Sequence, residues 1–142
     1  MSINRKLLLL LFVFAVAGGV LFAALNIKEA ELLVIHAQQG AFTQNPPSLT
    51  LIDVSTTLSF TKGSESGGTF PIDAYVEQWQ GIKEANLIFT SPAKEGFTTL
   101  PLSLSTPTYD AKRGLLTFRI EHLNGKIPPH VMHEPVLYLT QN

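Results

Sequence analysis

The sequence predicts an all-β domain, an antiparallel β-sandwich of immunoglobulin-like type with one short helix, placed behind an N-terminal transmembrane or signal helix. Three observations point there. Residues 7–25 contain no charged side chain. From Leu49 onward, apolar residues recur at alternate positions in about six short runs separated by Gly, Pro and Ser, a period that turns one face of each run inward. One segment, Thr69–Trp79, changes to a spacing of three and four.

Met1 to Lys6 is short and basic through Arg5 and Lys6. Leu7 to Leu25 then reads LLLLLFVFAVAGGVLFAAL, nineteen residues of which thirteen are Leu, Val or Phe. Such residues favour insertion by about 0.3–0.6 kcal/mol each, or roughly 5 kcal/mol together. At about 1.5 Å per residue the run nearly matches a hydrocarbon core of about 30 Å. Two arrangements compete. Ala15-Val16-Ala17 follows the apolar stretch Leu7–Phe14 and suits cleavage of a signal peptide. An uncleaved signal-anchor uses the whole run and leaves no greasy end at Gly18–Leu25. A buried soluble helix is a third possibility. Arg5 and Lys6 favour the cytoplasmic side, so the remainder of the chain faces out.

The chain divides accordingly into a signal-anchor or signal peptide (1–25), a stalk and linker (26–48) and the sandwich domain (49–142). In the stalk, Ile27, Ala30, Leu33, Val34 and Ala37 keep helical spacing and Gly40 is a stop. Leu32–Ile35 also reads as a strand, because short apolar runs are ambiguous. Gly40–Ser48, with Asn45-Pro46-Pro47, reads as linker.

The expected strands follow in order. Leu49, Leu51 and Asp53 share one parity, then Thr56, Leu58 and Phe60. Lys62–Gly68 (KGSESGG) reads as a polar, flexible loop. In Thr69–Trp79, a Pro stands in the first turn, Asp73 sits near the positive helix start, and Ile72, Tyr75, Val76 and Trp79 share a face. This is the short helix, expected to lid one end of the sandwich. Ala85, Leu87 and Phe89 alternate, as do Leu100, Leu102 and Leu104. Between Tyr109 and Leu115, Asp110 accepts from backbone amides and Gly114 takes positive φ, which makes a hairpin turn with Lys112 and Arg113 at its tip. Leu116, Phe118 and Ile120 alternate beyond it, and Val136–Thr140 is the last strand.

The run Leu49 to Leu139 contains the pieces TLSF, GTFPIDAYVEQW, ANLIF, LSLSTPTYDAKRGLLTFRIEHLNGKIP and PVLYL. In them the chain resembles a family of uncharacterised exported bacterial and archaeal domains. The Tyr-Asp turn before LTF and the Thr-to-Trp helix are the most specific parts. The resemblance implies an exported domain and carries over no activity. Thr61-Lys62-Gly63 stands where the family pattern leads to an Asp-Arg-Pro type sequence. Met132-His133-Glu134-Pro135 stands where it leads to Phe-Gly-Pro. Binding by those loops is therefore not carried over.

Four groups of residues are candidates for chemistry. His130, His133 and Glu134 form the one ligand-like cluster, with His122 as a further donor. Its setting between Pro128-Pro129 and Pro135 favours a polar loop over a regular metal-binding helix. Tyr75 and Trp79, with Phe70, would form an aromatic platform for a glycan or partner if exposed, and a packed helix face if not. Lys112 and Arg113 would form a basic contact patch, or simply a solvated turn. A serine triad would have to be assembled in space, because no Gly-x-Ser-x-Gly elbow is present.

Ten Lys and Arg stand against eleven Asp and Glu, which offers no basic footprint for nucleic acid. The chain has no cysteine, so disulfides, thiolate nucleophiles and cysteine-ligated clusters are excluded. No phosphate loop or dinucleotide fingerprint occurs, and no cofactor is expected. The expected function is a non-catalytic binding or structural role at the cell envelope, membrane-anchored through residues 7–25 or secreted. Two alternatives accompany it. One is a small subunit or assembly factor of an envelope complex, with Ala15, Ala17, Gly18 and Gly19 for helix packing. The other is a metal-binding protein or hydrolase using His130 and His133.

Overall fold

In the computed structural model, residues 30–62, 65–92, 94–127 and 131–140 are described. The elements run β1 (Leu32–Thr43), β2 (Ser48–Val54), β3 (Thr57–Lys62), β4 (Glu65–Pro71), α1 (Ile72–Gln78), β5 (Lys83–Ser91), β6 (Lys94–Asp110), β7 (Leu115–Leu123) and β8 (Met132–Thr140). The all-β class with one short helix is what the sequence predicts. Residues 1–29, with the expected membrane or signal segment, lie outside the described residues. Among the described residues no helix is long and apolar enough to cross a membrane.

All pairings are antiparallel within one sheet, in the order β2-β7-β6-β5-β8-β1-β3-β4. β1 also pairs with β2, from Ala37↔Val54 to Thr43↔Ser48. That ladder closes six strands, β1-β2-β7-β6-β5-β8, into a ring. The all-β class thus takes the form of a closed, barrel-like ring of hydrogen-bonded strands carrying the β3–β4 hairpin. β1 is the cause: its start (Leu32–Val34) pairs with β3, its end with β2, and its other edge with β8. Closure satisfies backbone groups that a sandwich leaves at its edges.

The expected stalk is corrected by the same strand. Within 26–48, Leu33, Ile35 and Ala37 alternate inward in β1, so the folded body begins near Ala30, itself buried, and not at Leu49. The helical spacing read there competes with β-branched Val34 and Ile35, and the strand partners decide the outcome. The linker shrinks to the turn before Ser48, which contains a cis Asn45–Pro46 bond.

The ring interior is the core. Leu33, Ile35, Leu49, Leu51, Leu87, Leu102, Leu104, Leu116, Phe118, Leu137 and Leu139 are all essentially inaccessible. Each contributes about 1.5–3 kcal/mol of burial. The alternation expected over Ala85–Phe89, Leu100–Leu104 and Leu116–Ile120 matches the buried set. Asp53 departs from it. Its φ of 54° places it outside, and Val54 is buried in its stead.

Two stretches expected as loops are strand. KGSESGG contributes most of β4, paired to β3 from Thr57↔Pro71 to Lys62↔Glu65. Here glycine is required by close approach, since a Cβ on Gly67 would stand 1.5 Å from the Phe60 carbonyl oxygen. Met132–Pro135 opens β8, where Glu134 at φ 47° bulges the strand against β5 and turns Met132 inward with Leu137 and Leu139. α1 falls inside the predicted helix but starts at Ile72, with Pro71 as its N-cap, because Thr69 to Pro71 belong to β4. It lies against β6 and β4 and sends Ile72 and Tyr75 into the barrel core.

Candidate functional site

The ladder between β6 and β7 shifts register at two places, between Ser103 and Leu104 and, by a longer step, between Ser105 and Thr108. Ser105 pairs with Arg119, and the next pair is Thr108 with Thr117. Two residues of β6, Thr106 and Pro107, therefore oppose the single Phe118. Pro107 has no N–H to offer a ladder, so a bulge is the arrangement available to it. Thr106 sits at φ 49°. A β-branched residue in the left-handed region is strained, and such strain points toward a functional position.

The bulge opens toward the exit of α1. Trp79, the C-cap of the helix, turns its indole onto Phe118 at 5.5 Å between ring centres and meets Tyr75 edge-on at 5.7 Å. Its Nε1 donates to the Gly81 carbonyl at 2.9 Å, which fixes the loop leading to β5. Between that loop and the bulge lies a groove of about 520 Å³, lined by Val76, Trp79, Gly81, Ile82, Ser105, Thr106, Pro107 and Glu121. One wall is apolar, with Ile82 57% exposed. The other is polar. Ser105 Oγ donates to Glu121 Oε1 at 2.5 Å, Thr106 Oγ1 donates to Ser105 Oγ at 3.3 Å, and Arg119 Nε stands 3.6 Å from Glu121 Oε1. Lys83 borders this corner. Its stem is buried and its Nζ lies 5.4 Å from the Trp79 ring centre. Burial pushes its pKa below the ordinary lysine value.

The arrangement offers an apolar shelf, a carboxylate, hydroxyls and two cations around an open groove. That donor set suits a polar ligand with an apolar portion, by contact and hydrogen bonding.

The residues anticipated from sequence fare differently. Tyr75 is corrected: at 3% exposure it is core, as is Phe70, so these residues and Trp79 form no exposed aromatic platform. Tyr75 lies on the helix face that packs against β6 and β4, and Phe70 is an inward-facing residue of β4 itself. Trp79 alone of the three reaches the groove, half-buried. Lys112 and Arg113 are exposed in the β6–β7 turn. There Asp110 Oδ1 accepts from the Arg113 amide at 3.3 Å and Gly114 takes φ 64°, as the turn chemistry predicts. His130 lies outside the described residues. His133 and Glu134 are exposed on β8, in a strand where a loop was expected. His122 is on β7, with two strands between it and β8 in either direction around the ring, so it does not join His133. It hydrogen-bonds Asn124 Oδ1 at 2.9 Å. Among the described residues no group of three or more potential metal ligands converges.

Ser105, Thr106, Ile82 and Glu121 were not singled out from sequence. The available signal was Ser105-Thr106-Pro107, where a proline interrupts a stretch that otherwise reads as strand. No protein-family model, curated protein or solved structure matches the chain.

Proposed function

We propose that this chain is a membrane-tethered, non-catalytic binding module of the cell envelope, with its barrel outside the cytoplasm and the Trp79–Glu121 groove as its binding site. The observation that carries the binding role is the β6 bulge, which holds Thr106 in a strained conformation at the mouth of an open groove. The tether rests on the uncharged run Leu7–Leu25 behind Arg5 and Lys6, and the resemblance to exported domains agrees with it.

The test is site-directed photocrosslinking in native membranes. A photoreactive residue at Thr106 captures a discrete species, and the same residue at exposed Ser59 on β3 does not. Equal capture at both positions, or none at Thr106, overturns the groove as the binding site. Protease protection of a tag after Asn142 in sealed cells tests the orientation, because an outward barrel leaves the tag cleavable from outside.

A further inference from the structure

The strand register brings the groove to the end of the barrel where the chain enters. Leu33 of β1 pairs with Leu139 of β8, and Leu139 pairs with Ala85 of β5. β8 is antiparallel to both neighbours, so β1 traced back to Ala30 and β5 traced back to Ile82 leave this row in the same direction. Two strand spacings, roughly 10 Å, separate them laterally. Thr140 Oγ1 donates to the Glu84 carbonyl at 3.2 Å and holds β8 to β5 at this rim. On the other side of β1, the Glu31 amide donates to the Thr61 carbonyl at 2.9 Å, which brings exposed Lys62 to the same rim.

The apolar run ends at Leu25, and only Asn26–Glu29 separate it from Ala30. Fully extended, that connection reaches at most about 18 Å. The headgroup layer is itself about 5–8 Å thick on each side of the hydrocarbon core. A barrel tethered so closely keeps its entry rim near the lipid surface. The side chains there suit that position. Ile82 is 57% exposed beside Trp79. Trp79 presents an apolar ring with a polar Nε1, and Lys83 lays a buried stem under a cationic head. An apolar body with a polar tip is the combination favoured at the boundary of water and hydrocarbon.

We infer that this rim rests on the lipid headgroup layer, with Ile82 inserted and Trp79 at headgroup level, so that the groove opens along the membrane surface. The partner of the rim is the bilayer itself. The inference rests on the tether proposed above and adds the face that the barrel turns toward the lipid.

Trp79 is the single tryptophan of the chain, which makes its fluorescence a direct reporter. The full chain is reconstituted in phosphatidylcholine vesicles, plain or brominated high on the acyl chain, and floated through a density gradient. The expected result is flotation together with about twofold lower emission in the brominated vesicles, as for an indole held at the interface. Ile82→Asp, a change at an exposed position, floats equally and loses most of the quenching while its circular dichroism is unchanged. Flotation with equal emission in both vesicles overturns the rim contact and leaves the tether standing. Failure to float overturns both. Quenching that Ile82→Asp does not reduce also overturns the assignment, because the rim is then not seated through Ile82.

Discussion

Ser105 and Glu121 share a 2.5 Å hydrogen bond between neighbouring strands, at the place where the β6–β7 ladder gives way to the bulge. With backbone pairing interrupted there, the side chains hold the two strands together. Ser105 is buried, so its hydroxyl has little water to fall back on. Ser105→Ala is expected to destabilise the barrel by about 1.5–3 kcal/mol, the range for a hydrogen bond to a charged group. Urea denaturation of Ser105→Ala, Glu121→Gln and the double variant checks it, with a coupling energy above about 0.5 kcal/mol expected for a direct contact.

Thr106→Gly relieves the left-handed strain. A strained residue of this kind costs on the order of 1–3 kcal/mol, partly offset by the larger backbone entropy of glycine in the unfolded chain. The variant is expected to gain about 0.5–1 kcal/mol in the same denaturation measurement. A destabilised variant would show that the bulge is not strained.

Lys83 sets a pH dependence whose sign follows from burial. Its folded pKa is lowered, so between that value and the ordinary lysine value the unfolded chain binds more protons than the folded one. Stability therefore rises with pH across this window, and below it the full penalty of burying the charge is present. Lys83→Met keeps the buried stem and removes the charge. Thermal melts are expected to show a higher Tm than wild type at pH 7 and a difference that narrows as pH approaches the ordinary lysine value. A lower Tm at pH 7 would mean that the contact with Trp79 outweighs the burial penalty.

Tyr75 carries a hydroxyl inside the barrel with no hydrogen-bond partner, and burial raises its pKa well above the usual tyrosine value. An unsatisfied buried hydroxyl costs about 1–3 kcal/mol. Tyr75→Phe is expected to stabilise the domain by about 1 kcal/mol in urea denaturation, since the ring packing is kept. A loss of stability would indicate that the hydroxyl is satisfied by an internal water.

The sequence was most informative where one period ran uninterrupted. Ala85-Leu87-Phe89 and Leu116-Phe118-Ile120 gave the inward faces of β5 and β7 directly. The turn around Asp110 and Gly114 was legible because its chemistry is local. β4 was not, since Gly67 and Gly68 have low strand propensity and are strand only because β3 pairs with them. β1 was ambiguous because its neighbours in space, β3 and β8, are distant in sequence from the residues being read. Ring closure was invisible for the same reason, as it depends on which strand meets which. The groove was obscured by its dependence on side chains from α1, β6 and β7 together. The aromatic face stayed open between platform and core because the helical spacing of Tyr75 and Trp79 marks a common face without saying whether it packs inward or meets water.

β8 has a place in the ring that matters for how the molecule comes into being. It is the last of the described strands in chain order, yet it is seated between β1, the first, and β5. Everything before it can assemble only as an open sheet with two unsatisfied borders. The barrel therefore cannot be completed while its early strands emerge from a ribosome or a translocation channel, and maturation waits for the final segment. A chain truncated after β7 is not a smaller barrel. It is a sheet with the exposed flanks of β1 and β5, ready to zip onto a neighbour, and a natural substrate for proteolysis.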